Sequence, residues 1–425
     1  MTLIYVFETR TKPTSCPAGT HEDTYGAKPD MPGTNVLSDI RIADMTTVIF
    51  GPYCTQTLAD MGAEVVKVEP AAGDDFRNVG KPVNTRSMGP CHITINRGKR
   101  SVVWDLKSDA GRAAITKLIQ QSDVFIHNVR EDAVARIGLT FDEVKTIKPD
   151  IVYVHCTGFG SEGPYAGRPA YDDLIQGLSG TASLLPRVDG NPAPRFLPMA
   201  IADKVSGLHA VYATLAALRQ RDRTGEAVHV EVPMFECVTH FLLEEHLYGE
   251  TFDPPNGPAC YQRQVDPSRQ PLQTADGWIT IAPYVDARWI RLFDVLEAPQ
   301  ELQDERLNDR RGRYHNMPYM MERVQAYLTA KPTQFWLDAF TADDIPAARV
   351  NDIGELRDDP HLQAVGFFQK RTHPTEGDYW ETQPPVIFRG ETRRPIRPAP
   401  LIGQHTDEVL AELGLEDASK PDVDA

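Results

Sequence analysis

Cysteine is scarce and unpatterned. Six cysteines stand among 425 residues, none in a C-x-x-C pair, which excludes a zinc knuckle or a disulfide framework and fits reduced thiols. No run reaches the roughly 18 apolar residues that a spanning helix needs. Near the N-terminus the only apolar stretch is Leu3–Phe7, too short and without the preceding basic residue of a signal peptide, so the cytoplasm is the expected location. Basic charge is also short: 44 Lys and Arg face 60 Asp and Glu, a formal net charge of -16. Such a surface excludes nucleic acid and anionic membranes as partners, while a small anion can still bind where cations gather locally. There is no G-x-S-x-G elbow of a serine hydrolase. His240, Glu244 and His246 do not form H-E-x-x-H and suggest no third ligand, so no metal is expected.

What is present is an ordinary globular balance, 41% hydrophobic and 24% charged, in a chain long enough for more than one core. Residues 1–37 are rich in Thr, Pro and Gly without apolar period and read as an irregular extension. From Ser38 onward short β-branched runs alternate with helical patterns. Strands are expected at 40–45, 64–68, 101–106, 123–127, 151–156 and 228–232, with helices opened by Pro52 and capped by Ser108. That order predicts an α/β fold, a Rossmann-like parallel sheet covered on both faces. A Pro-rich break at 253–258 separates the first part of the large domain, 38–250, from a smaller α+β domain over 251–344. There a strand is expected at 278–282 and helices at 289–296 and 317–328. Residues 345–416 then return to complete the large domain, and 417–425 form an acidic tail.

Two motifs invite chemistry. Gly158-Phe159-Gly160-Ser161-Glu162-Gly163 follows a strand, as a dinucleotide fingerprint would. Pro164, Gly167 and Pro169 leave no helix for its third glycine to open, so a substrate loop or simple turn is the better reading. Asp203 opens a helix whose apolar positions recur every three or four residues up to Arg223, with Gly225 as its stop. It reads either as an N-cap, accepting from the backbone of its own helix, or as a nucleophile whose anion the helix end would stabilise. Local physics leaves both open.

The stretch Asp60-Met61-Gly62-Ala63-Glu64-Val65-Val66-Lys67-Val68-Glu69-Pro70, with Gly51-Pro52 before it and Gly73-Asp74 and Arg77 after it, resembles the opening of the class III CoA-transferases. Asn96-Arg97-Gly98-Lys99, Tyr171-Asp172, Asp203 and Gly403-Gln404-His405-Thr406 extend the resemblance over about 38–415. It implies an enzyme that moves coenzyme A from an acyl-CoA to a carboxylic acid, with the CoA thioester as substrate and no tightly bound cofactor. The resemblance makes Asp203 the nucleophile, passing through a mixed anhydride and an aspartyl-CoA thioester. Asp172 and Tyr171 take helper or substrate-contacting positions. Val48, Ile49, Phe50 and Trp104 match an apolar CoA wall. Lys107, Asn128, Val129 and Arg136 match further positions lining its site, the two cations suiting phosphates. It also implies a homodimer of interlocked chains. Departures from formyl-CoA transferase, with Ile49 where that enzyme has Gln and no glycine-rich lid before Trp278, point away from oxalate or formate. The rival of the same fold is an acyl-CoA racemase, which has His where this chain has Tyr171, and tyrosine of ordinary pKa is a poor base at neutral pH. A CoA-binding protein without catalysis would not need Asp203.

Overall fold

The structure is a computed structural model that describes residues 35–390 and 396–415. The extension read over 1–37, except its last three residues, and the tail read over 417–425 lie outside these residues.

Six strands form the central sheet: β1 Arg41–Met45, β2 Glu64–Glu69, β3 Lys99–Val103, β4 Val124–His127, β5 Val152–Thr157 and β6 Val228–Pro233. All pair in parallel, in the order β3-β2-β1-β4-β5-β6. Successive residues of a strand face opposite sides, and the register puts Ile42 beside Val65 and Val124. Those three lie under the helices Phe50–Asp60 and Ile201–Thr224 in one core. Their neighbours Ala43, Val66 and Phe125 lie under Asp109–Gln120 and Thr406–Glu412 in the other. Burial on both faces explains the apolar runs within these strands, such as Val65-Val66 and Val124-Phe125-Ile126.

The sheet departs from the sequence reading at its ends. β3 begins at Lys99 rather than Ser101, because Lys99 and Arg100 are buried against carboxylates instead of flanking the strand. The first helix starts at Phe50, which leaves Pro52 its third residue. β3 is an edge strand, and residues 396–415 cover it. The Ser101 N–H donates to His405 Nδ1 at 3.2 Å and the Val103 N–H to Thr406 Oγ1 at 3.0 Å, leaving less open edge for another chain to pair with.

A third core holds Leu272, Ile279, Leu292, Val324 and Phe340. It joins the helices Asp286–Val295, Met317–Leu328 and Thr333–Ala342 to an antiparallel sheet of β7 Leu272–Gln273, β8 Trp278–Ile281 and β9 Ala347–Arg349. β9 lies beyond residue 344, so the small sheet takes its third strand from the segment that then leads back toward β3. A hairpin, β10 Phe368–His373 and β11 Gly377–Thr382, stands between them. Among the described residues no helix is long and apolar enough to cross a membrane.

Candidate active site

In an open parallel sheet, ligands bind beyond the carboxyl ends of the strands where the strand order reverses. Here that point lies between β1 and β4. The loop after β1 and the loop after β4 meet across it: the Thr47 N–H donates to Asn128 Oδ1 at 2.9 Å, and Asn128 Nδ2 donates back to the Thr47 carbonyl at 3.0 Å. A cleft of about 390 Å³ opens beside this clasp. Val48, Phe50, Asn128, Val129, Tyr171 and Asp203 are among its walls.

Asp203 reaches the cleft by close packing of two helices. The helix Ile201–Thr224 crosses the first turn of Phe50–Asp60 at Gly207, one turn after Asp203. A Cβ on Gly207 would stand 3.0 Å from the Phe50 carbonyl and 2.9 Å from Tyr53 Cδ1. Glycine there lets the backbones approach and brings the Asp203 carboxylate to the backbone of Phe50, which hydrogen-bonds it. Phe50 is the first residue of its helix, and Ile49 before it supplies no side-chain cap. The carboxylate thus sits on a helix N-terminus, though not on its own.

The N-cap reading of Asp203 fails on this geometry. Its helix begins at Ile201 with Ala200 as the cap residue, so Asp203 stands third. Asp172 satisfies the helix amides instead: its Oδ1 accepts from the N–H of Ala202 at 2.6 Å and of Asp203 at 3.2 Å. Gln176 holds the other oxygen at 2.6 Å. Local sequence gave no sign of a cap donated from thirty residues upstream.

Burial is the largest influence on Asp203, which is 8% exposed. Together with the nearby charge of Asp172 it raises the carboxyl pKa from 3.8 to about 7, against the opposing Phe50 hydrogen bond and the Lys204 charge. A carboxylate so placed is poorly solvated and, once ionised, reactive toward an electrophile.

The other expected contacts divide. Ile49 joins the clasp to the helix but is not a wall of the cleft. Trp104, just past β3, is buried in the second core. Lys107 is exposed beyond it, and Arg136 pairs with Asp132 at 3.0 Å. None of these three lines the cleft. The cations that do are Arg130 and Arg168, neither ion-paired among the described residues. Their positions right after Val129 and just before Tyr171 were a usable signal.

The glycine motif is a loop of the same cleft, and it does not cradle phosphate. The Gly160 N–H donates to Glu236 at 2.9 Å and the Ser161 N–H to Glu231 at 2.7 Å, so carboxylates already occupy the amides a pyrophosphate would use.

Comparisons with known proteins identify the family. The pattern described as CoA-transferase family III matches residues 37–406. Succinate–glutarate CoA-transferase of Agrobacterium fabrum is 33% identical over 393 residues, covering 90% of this chain and 97% of that protein. Human succinyl-CoA:glutarate CoA-transferase is 29% identical over 394 residues, covering 90% and 87%. The crystal structure of a CAIB/BAIF family protein from Brucella suis superposes with a TM-score of 0.78 at 27% identity, over 90% of this chain and all of that one. With its six-stranded parallel sheet and a match across nearly its whole described length, the chain belongs to CoA-transferase family III and is a CoA-transferase.

Proposed function

We propose that this enzyme, working in the cytoplasm, transfers CoA between two carboxylic acids by covalent catalysis on Asp203. The carrying observation is the buried carboxylate at the Phe50 helix end, with its pKa near 7, inside a cleft at the strand-order reversal. Asp203 attacks the thioester carbonyl of the donor, forming a mixed anhydride as CoA leaves as thiolate. The thiolate attacks the aspartyl carbonyl of that anhydride, releasing the donor acid and leaving an aspartyl-CoA thioester. The acceptor carboxylate repeats both steps in reverse and regenerates Asp203. The helix N-terminus at Phe50 offers an amide to negative charge developing on the reacting oxygens. CoA runs from Asp203 across Val48, Asn128 and Val129, with Arg130 in the cleft and Lys107 and Arg136 outside it as cations for its phosphates. Two relatives act, by their names, on succinate and glutarate, and Arg168, whose guanidinium lies 4.3 Å from the centre of the Tyr165 ring, is a cation suited to the second carboxylate of such an acid.

The test is trapping. Succinyl-, glutaryl- or acetyl-CoA without acceptor should add mass to the intact protein, mapping to the peptide that carries Asp203, and hydroxylamine should convert that carboxyl to a hydroxamate. Solvent deuterium entering the α position of a branched acyl-CoA, with no adduct, would instead identify a racemase.

The enzyme is further proposed to be a homodimer. Leu174, Leu208, Tyr212 and Phe241 are large apolar side chains exposed on three adjoining helices, Asp172–Leu178, Ile201–Thr224 and Met234–His246. A contiguous exposed apolar face is a mark of association. Light scattering at micromolar protein is expected to give twice the chain mass, and a folded monomer there would contradict the assignment.

A further inference from the structure

Lys67 stands in the middle of β2, in the run Glu64-Val65-Val66-Lys67-Val68-Glu69, and is fully buried. Its Nζ lies 3.0 Å from Asp74 Oδ2, and both side chains are wholly out of solvent. Two charges withdrawn from water are seldom repaid in stability by their mutual attraction. The pair needs another reason, and its hydrogen bonds supply one.

Lys67 Nζ also donates to the Thr46 carbonyl at 2.6 Å. Asp74 accepts the Val48 N–H at 3.0 and 3.2 Å. Val48 has φ +68°, a left-handed conformation that is a true outlier for a β-branched residue. Such strain persists only where the surroundings over-determine it. Here they do: Asp44 takes the Thr46 N–H at 2.9 Å, Asn128 takes that of Thr47, and Asp74 takes that of Val48. Two residues further on is Phe50, whose backbone meets Asp203.

We propose that Lys67 and Asp74 are positioning residues of the transfer reaction, clamping Val48 in its left-handed conformation and so aiming the first amide of the Phe50–Asp60 helix at the Asp203 carboxylate. The proposal rests on Asp203 as nucleophile. Neither Lys67 nor Asp74 touches substrate; they act through the loop. The charged groups that face Asp203 itself are Asp172 and Lys204, and both are left intact by the changes below.

The experiment replaces both ions at once, Lys67→Met with Asp74→Leu, so that no charge is stranded in the core; buried pairs exchanged for apolar groups commonly keep the fold. In a crystal structure of this variant, Val48 is expected to leave positive φ and the Phe50 amide to turn away from Asp203. Adduct formation should slow by roughly a hundredfold, the scale of losing one well-aimed amide donor. KM for acyl-CoA should change far less, and the pH midpoint of the reaction should rise. Adding Val48→Gly should recover part of the rate, since glycine takes positive φ without a clamp. Should the double change not fold, Asp74→Ala, which removes the acceptor of the Val48 N–H, with and without Val48→Gly measures the same coupling. An unmoved loop in the crystal structure overturns the proposal, as does a parental rate and pH midpoint, or absence of any rescue by glycine. If the parent protein itself forms no adduct, the nucleophile assignment fails, while the crystal structure still judges the clamp.

Discussion

Asp203→Asn is expected to lower the rate of CoA transfer by at least about a thousandfold, the scale on which removing a covalent nucleophile acts. Acyl-CoA binding should stay close to that of the parent. The substitution keeps the size of the side chain, and its amide oxygen can still accept the Phe50 hydrogen bond that the carboxylate accepts now. Nor does it disturb the long helix, whose first amides are held by Asp172. A carboxylate whose only duty was to cap the helix Phe50–Asp60 would be replaced by asparagine almost without loss, and turnover would stay within a few-fold of the parent. Steady-state kcat and KM with a succinyl or glutaryl thioester, alongside binding of CoA, separate these cases. Near-parental turnover would remove Asp203 from the chemistry.

The central strands were legible where they hold short β-branched or apolar runs, as in β2, β4 and β5, which burial keeps apolar. Errors fell where tertiary partners replace local ones. Lys99 and Arg100 lie outside the strand expected at 101–106, yet Lys99 donates to the Pro52 carbonyl at 3.0 Å and Arg100 pairs with Glu412, some three hundred residues away. The start of the long helix was misplaced for the same reason, since its cap comes from Asp172. Lys67 carried a signal that went unused, a cation in the centre of a strand that the apolar pattern says is buried. The site itself was only half visible. Asp203 was named by resemblance, because position in a helix cannot distinguish a cap from a nucleophile. What brings its carboxylate to the cleft is Gly207, which sets how closely two helices pack, and no local pattern encodes that distance.

The same substitution should also change stability, in a pH-dependent way. At pH 8 Asp203→Asn is expected to be more stable than the parent by roughly 3–4 kcal/mol at most, with the advantage fading to nothing near pH 4. Burial and the Asp172 charge raise the native carboxyl from 3.8 to about 7, so between these values the folded parent binds a proton that the unfolded chain has released. The stability associated with the protonated acid is therefore complete below about pH 4, falls as pH rises, and is lost above about pH 7. Asparagine is neutral throughout and does not bear that loss. Other displaced groups, such as Glu69, lowered to about 2 against its burial by Arg77 and Lys67, are common to both proteins and cancel in the difference. Urea unfolding of the two at pH 4, 6 and 8, at one protomer concentration, reads the effect directly. A difference that does not vary with pH would mean that Asp203 is ionised in the folded state well below neutrality. Turnover should trace the opposite course, increasing through pH 7 as the carboxylate forms, because in the proposed mechanism the ionisation that costs the fold stability is the one that creates the nucleophile.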